Sequence, residues 1–209
     1  SGISISLLNK DYSKIAISIE NKIDLMLIVL ACIFAEIPFI IIDKNRPKSF
    51  FEDILSEAKI SMIVTDDKID IENVEYIKLS ELLNSGSYLK NSECNSIKKQ
   101  EAVAFYIATS GSTGKPKIAK RFLLAFLQDF LALEKKLPFL FNEIALQYAK
   151  LNFAYGFENT LLLLIGGTTI CFGAKNTGIK NIQEMYLEIE KYKVIYEAKL
   201  YVVRSWVRR

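Results

Sequence analysis

The chain of 209 residues contains no histidine. This absence excludes Ser-His-Asp and Cys-His nucleophile systems, histidine-ligated zinc and imidazole general bases. Cysteine is scarce as well, because Cys32, Cys94 and Cys171 are far apart and form no C-x-x-C motif. We therefore expect free thiols, with Cys32 and Cys171 buried in the apolar runs that contain them.

Long apolar runs and a strong net charge are also missing. The longest apolar run covers residues 25–35, between Asp24 and Glu36, and is well short of the ~20 residues that a membrane span needs. The net charge is only +3, with basic residues scattered along the chain, which does not favour a nucleic-acid partner. Residues 1–20 lack the pattern of a secretory signal. We expect a cytoplasmic globular protein with no membrane span.

Strand and helix patterns alternate along the chain. β-branched apolar runs predict strands, and longer Leu/Ala-rich or amphipathic runs predict helices. Such alternation predicts an α/β fold with a mostly parallel sheet or sheets and helices on both faces. The predicted strands are 14–20, 39–42, 60–65, 74–79, 102–108, 144–149, 168–172 and 193–198, and the predicted helices are 22–37, 49–59, 121–137, 157–165 and 182–192.

A loop rich in glycine and hydroxyl groups follows the apolar run at 102–108. Its sequence, TSGSTGKPK, covers residues 109–117. Gly111 and Gly114 permit positive φ, so consecutive backbone N–H groups can turn towards one anion. Hydroxyl donors and two lysines complete a predicted phosphate cradle at the carboxyl edge of the sheet, where open α/β folds bind ligands. The hydroxyl donors are Thr109, Ser110, Ser112 and Thr113, and the lysines are Lys115 and Lys117.

Two well-known phosphate loops do not fit this stretch. The Walker pattern G-x-x-x-x-G-K-[ST] fails because Thr109 stands where its first glycine belongs and Pro116 follows Lys115. The dinucleotide pattern G-x-G-x-x-G fails because only G-x-x-G is present. A kinase-like nucleotide hydrolase is therefore a weak alternative.

The loop resembles the phosphate-loop signature of adenylate-forming enzymes, which include acyl- and aryl-CoA synthetases, luciferases and the adenylation domains of nonribosomal peptide synthetases. Residues 14–47 and 159–172 are similar to the segments that precede and follow this loop in the family. The resemblance implies one partial N-terminal AMP-binding domain over residues 1–209. Within it we expect a βα-alternating portion at 1–83, a surface connection at 84–101, and a portion at 102–209 with the phosphate loop and acyl pocket.

The resemblance also implies a reaction. A carboxylic acid is activated with ATP and Mg²⁺ to an acyl-adenylate, and a thiol of CoA or of a carrier protein then takes the acyl group, as in acid-thiol ligases. The loop would hold the leaving pyrophosphate through Thr109, Ser110, Gly111, Ser112, Thr113, Gly114 and Lys117. An ionised carboxylate needs no general base, so the lack of histidine does not oppose this chemistry. No catalytic side chain and no metal ligand is assigned, because the magnesium ligand is expected outside the chain.

Two residues beside the loop depart from the family pattern. Ala108 stands where the family usually has tyrosine or a similar residue, and Ile118 stands where it usually has glycine after the closing lysine. These departures affect the expected geometry of the loop.

Residues 151–161 correspond to one wall of the acyl pocket in the family. Ala154, Tyr155 and Gly156 match the pocket segment of benzoate-type aryl-CoA ligases, whereas amino-acid-activating members commonly carry an aspartate there. The segment thus favours an aryl or other apolar acid. The alternative is that Phe153, Tyr155 and Phe157 are ordinary core aromatic residues at alternating positions.

Later family motifs that place magnesium and ribose, and the domain with the catalytic lysine, are not found in the sequence. We therefore expect a fragment with little activity of its own. The alternative function is a catalytically inactive remnant that acts as a nucleotide-binding or interaction module.

Overall fold

The computed structural model describes residues 13–84, 102–109, 116–136, 143–173, 182–194 and 196–197. The chain divides into two compact units, Ser1–Phe126 and Leu127–Arg209. Each unit is built around its own sheet, and the two are described separately.

The first unit contains a six-stranded sheet in the order β4-β3-β1-β2-β5-β6. Every neighbouring pair is parallel except β5 and β6, which are antiparallel. This arrangement confirms the predicted mostly parallel α/β sheet. The strands are β1 (Ile15–Ser18), β2 (Phe39–Ile41), β3 (Met62–Thr65), β4 (Glu75–Lys78), β5 (Val103–Thr109) and β6 (Lys117–Phe122).

Four helices accompany these strands: α1 (Lys22–Phe34), α2 (Lys48–Ala58), α3 (Leu79–Asn84) and α4 (Leu123–Lys136). The division between the two units falls within α4. Helix α1 begins after Asn21, whose side-chain oxygen accepts hydrogen bonds from the N–H groups of Ile23 and Asp24 at 2.9 and 3.2 Å. It ends before the predicted residue 37, because Glu36 takes a positive φ of 55°.

The core covers both faces of the sheet. Ala16, Ile40 and Ile63 pack in one cluster with the apolar side of α2. Side chains alternate along a strand, so Ile15 and Ile17 point to the opposite face, and both are fully buried as well. Buried strands of this kind need helices on both sides, as the alternating sequence pattern predicts.

The second unit contains a parallel three-stranded sheet in the order β8-β7-β9. Its elements are β7 (Ile144–Gln147), α5 (Ala154–Ile165), β8 (Thr169–Phe172), α6 (Ile182–Tyr192) and β9 (Tyr196–Glu197). The Tyr148 hydroxyl, just after β7, donates a hydrogen bond to the Glu188 carboxylate on α6.

The structure corrects further sequence-based expectations. Residues 117–122 form strand β6, so the predicted helix at 121–137 begins only at Leu123. Helix α5 begins at Ala154 rather than at residue 157. Cys32 is fully buried as expected, but Cys171 is only partly buried. Among the described residues, no helix is both long and apolar enough to cross a membrane.

Candidate functional site

A hairpin formed by β5 and β6 carries the two ends of the predicted phosphate loop. Thr109, the last residue of β5, is the direct partner of Lys117, the first residue of β6. The Thr109 hydroxyl donates a hydrogen bond to the Lys117 carbonyl oxygen at 3.2 Å. This hydrogen bond closes the base of the loop, while the Lys117 side chain is exposed to solvent. Thr109 therefore has a structural role in addition to any contact with a ligand.

The remaining predicted loop residues, Ser110, Gly111, Ser112, Thr113 and Gly114, lie outside the described residues. Strand β5 fixes where they begin, because it runs parallel to β2 and ends at the carboxyl edge of the sheet. That edge is where parallel sheets bind their ligands. The structure thus gives the strand that leads to these residues, and the phosphate loop itself remains a prediction.

The two departures from the family pattern face each other. Ala108 and Ile118 are direct partners across the hairpin, and both are partly buried against the cluster between α2 and the sheet. A small residue on β5 thus stands opposite a large one on β6. The family pattern has the reverse arrangement, with a large residue at the position of Ala108 and glycine at the position of Ile118. We therefore expect the two changes to compensate in volume, because directly opposed side chains lie close together.

The predicted acyl-pocket residues Ala154, Tyr155 and Gly156 form the first turn of α5. Phe153 and Tyr155 are 54% and 49% exposed, whereas Phe157 is 3% exposed. The alternative that all three are core aromatic residues is therefore wrong for Phe153 and Tyr155 and right for Phe157. Two large aromatic side chains lie at the surface where the helix begins, which suits contact with an apolar group.

Gly156 is held in place by close packing of its backbone. A Cβ atom at this position would lie 2.2 Å from the Lys150 carbonyl oxygen and 3.1 Å from the Ala149 Cβ atom. The Gly156 carbonyl oxygen accepts hydrogen bonds from Gln147 Nε2 at 2.9 Å and from Thr160 Oγ1 at 2.7 Å. Glycine is needed here because the helix start packs directly on the chain that follows β7.

Gln147 is a residue that the sequence reasoning missed. It ends strand β7, is fully buried, and links the strand to the first turn of α5 through its bond to Gly156. Its Oε1 atom is buried and has no hydrogen-bond partner. In the sequence, Gln147 is only a polar residue after the apolar run 144–146. That pattern alone does not show whether the side chain is buried or exposed.

Among the described residues, the groups with shifted pKa values do not form a catalytic cluster. Burial raises the pKa of the Cys32 thiol to about 12, which keeps it protonated. Burial also raises the pKa of Cys171, with a smaller effect from the Glu188 carboxylate. In the described ranges no three His, Cys, Asp or Glu side chains come together as a metal site would require. We therefore assign no magnesium ligand.

Solved structures of other proteins have a fold similar to that of this chain. The Klebsiella oxytoca NpsA N-terminal subdomain, in complex with 3-hydroxybenzoyl-AMSN, superimposes with a TM-score of 0.78 at 22% identity, over 94% of this chain and 50% of that one. The o-succinylbenzoate CoA synthetase MenE of Bacillus subtilis, in complex with the acyl-adenylate intermediate OSB-AMP, gives a TM-score of 0.74 at 16% identity, over 94% and 51%. These similarities establish the fold.

Curated relatives match at the sequence level. The chain is 25% identical over 166 residues to D-lysergyl-peptide-synthetase subunit 1 of Epichloe festucae var. lolii, which is 75% of this chain and 5% of that protein. It is 28% identical over 173 residues to the bassianolide nonribosomal cyclodepsipeptide synthetase of Beauveria bassiana, or 80% and 6%. The chain thus spans a small part of these relatives and about half of the solved structures. Because the family model for AMP-binding enzymes matches residues 6–196, the chain belongs to the AMP-binding enzyme family.

Proposed function

We propose that this chain forms the phosphate-binding part of an acid-thiol ligase that activates a carboxylic acid with ATP. The main support is the β5–β6 hairpin, which sets Thr109 opposite Lys117 at the carboxyl edge of the sheet. The sequence between them is rich in glycine and hydroxyl groups. Family membership makes this loop the expected binding place for the β- and γ-phosphates of ATP.

The proposed first step is displacement at phosphorus. A carboxylate oxygen attacks the α-phosphorus of ATP, the bond to the bridging oxygen of the β-phosphate breaks, and pyrophosphate leaves with the electron pair. Backbone N–H groups, hydroxyls and Lys117 would stabilise the charge that develops on pyrophosphate. MenE has been solved with ATP and a magnesium ion, which supports the same nucleotide and ion here.

We propose an aromatic acid as the substrate. The exposed Phe153 and Tyr155 at the start of α5 offer an apolar surface, and no acidic residue precedes Glu158 in this segment to meet an ammonium group. NpsA binds a 3-hydroxybenzoyl compound and MenE an o-succinylbenzoate adenylate. The acyl acceptor is a thiol of CoA or of a carrier protein, in keeping with a CoA synthetase and nonribosomal synthetases among the similar proteins. The free thiols Cys32 and Cys171 support a cytoplasmic location.

Calorimetric titration of the 209-residue chain with ATP and Mg²⁺ tests the phosphate role. We expect Thr113→Ala and Lys117→Ala each to weaken binding about tenfold, since a charge-assisted hydrogen bond contributes about 1.5–3 kcal/mol. Lys120→Ala is the matched control, because it removes the same charge from an exposed position on the same strand. Equal affinities for the wild type and both loop variants would refute the proposal.

A further inference from the structure

The start of helix α5 has no fixing of the usual kind. Its N-cap, Phe153, makes no side-chain capping bond, and no acidic residue lies in the first turn. A helix start without a cap leaves backbone N–H groups without partners and is free to fray. The residues of this turn are those that the sequence assigns to the acyl pocket, so their position depends on whatever else holds the helix start.

The side chain of Gln147 supplies that hold. Its Nε2 atom donates hydrogen bonds to the carbonyl oxygens of Gly156 at 2.9 Å and of Ala149 at 3.4 Å. Ala149 lies near the start of the connection from β7 to α5, and Gly156 lies in the first turn of the helix. One fully buried side chain therefore joins the two ends of this connection.

The neighbours of the Gln147 amide determine its orientation. Both groups that Nε2 faces are carbonyl oxygens, which only accept hydrogen bonds, so a reversed amide would place Oε1 against them. Oε1 therefore points elsewhere, and it is buried where none of the described residues donates a hydrogen bond to it. Such an acceptor is unfavourable for folding. A buried polar residue with this disadvantage is more typical of a functional site than of a core chosen for stability.

Strand β7 gives Gln147 a rigid base. It is the central strand of the second unit's sheet, paired with β8 on one side and β9 on the other. Ala145 and Leu146, which precede Gln147, are fully buried. A side chain that projects from such a strand holds its partner more precisely than one carried by a loop. Gln147 thus fixes the start of α5 relative to the sheet.

A second hydrogen bond to the same carbonyl has a different effect. Thr160 Oγ1 donates to the Gly156 carbonyl oxygen at 2.7 Å. Thr160 belongs to α5 itself, so this bond lies within the helix and does not connect it to the sheet. The two bonds have one acceptor in common, and only the bond from Gln147 determines where the first turn lies.

We propose that Gln147 is a positioning residue for the acyl pocket. It holds Ala154 and Tyr155 in place before an acid binds, so that binding does not have to order this wall of the pocket. The inference rests on the function proposed above, because it takes these residues as the wall that contacts an aromatic acid. Gln147 itself acts through Gly156 and does not contact the acid.

Titration of the 209-residue chain with benzoate, followed by calorimetry, tests this role. Gln147→Met keeps the length of the side chain and removes its donor. We expect it to weaken benzoate binding about tenfold, because the wall must then be ordered on binding. The thermal midpoint should stay nearly unchanged, since the loss of the bond to Gly156 is offset by removal of the unsatisfied Oε1. A purely structural residue would lower the midpoint instead.

Thr160→Val is the matched control, because it removes the other bond to the Gly156 carbonyl and keeps the shape of the side chain. It should lower the thermal midpoint and leave the benzoate affinity within about twofold of the wild type. A spectroscopic measurement on the free chain accompanies the titration. With 3-fluorotyrosine incorporated, the ¹⁹F resonance of Tyr155, assigned through Tyr155→Phe, should shift or broaden in Gln147→Met and stay unchanged in Thr160→Val.

The outcomes separate this inference from the proposed substrate. A wild-type chain that does not bind benzoate would refute the aromatic acid, and the positioning role with it. If the wild type and Gln147→Met bind benzoate equally, or the Tyr155 resonance is the same in both, the positioning role alone is refuted. Equal weakening by Thr160→Val and Gln147→Met would also refute it, because both substitutions would then act through the stability of α5.

Discussion

Gly156→Ala is the substitution with the clearest expected effect on this chain. The added Cβ atom would lie 2.2 Å from the Lys150 carbonyl oxygen and 2.9 Å from its carbonyl carbon. Both atoms belong to the backbone, so rotation of a side chain cannot relieve the overlap. Either the start of α5 or the segment that follows β7 must move by about 1 Å, since ordinary carbon–oxygen contacts begin near 3.3 Å.

The cost can be estimated from three contributions. Overpacking in a buried site costs about 1–3 kcal/mol. Displacing the Gly156 carbonyl weakens its bonds from Gln147 and Thr160, each of which contributes about 1 kcal/mol. Alanine recovers up to about 1 kcal/mol through its higher helix propensity. We expect a net loss of roughly 2–4 kcal/mol in the free energy of unfolding.

Native-state amide hydrogen exchange at Leu161, Leu162 and Leu163 measures this loss locally. The three residues are buried within α5, and exchange reports the opening free energy of that helix without assuming that both units unfold together. Gly166→Ala is the matched control at the other end of the helix, where φ is −72°. It should be neutral or slightly stabilising. Protection in Gly156→Ala within 0.5 kcal/mol (about twofold) of the wild type would refute the reasoning.

Three further predictions concern the first unit. Ala108→Tyr and Ile118→Gly should each destabilise the hairpin. In a double-mutant cycle measured by urea unfolding, the double variant should recover about 1–2 kcal/mol of the summed loss. Strictly additive effects of the two substitutions would contradict compensation. Thr109→Val should lower protection of the β6 amides by about 1 kcal/mol, because it removes the bond that closes the loop; unchanged exchange would show that this bond contributes nothing. Folded Cys32 keeps its proton up to about pH 12, whereas the unfolded thiol loses it above 9.0. The contribution of this thiol to the free energy of unfolding is therefore fully present below pH 9. It declines as the pH rises towards 12, by at most on the order of 4 kcal/mol. In Cys32→Ala, the free energy of unfolding measured with urea should therefore fall less steeply at alkaline pH.

The sequence predicted elements whose signals are local. Strand β1 and helix α1 were found because a β-branched run precedes a long Leu/Ala-rich apolar run that is followed by Pro38. The first turn of α5 was missed because its N-cap, Phe153, makes no capping bond. Strand β6 was missed because residues 117–122 show no regular alternation of apolar and polar side chains. The strand forms through its pairing with β5, which no local sequence pattern records.

The order of the strands was beyond the reach of the sequence patterns. Alternating strands and helices predict a parallel sheet, but they do not say that β1 lies between β2 and β3. For the same reason residues 109–117 could be proposed as a phosphate loop from their sequence, whereas the cleft beside Ser18 and Thr65, at the ends of β1 and β3, could not be predicted. The loop consists of consecutive residues, whereas the cleft combines Ser18, the β2–α2 connection and the residues after β3.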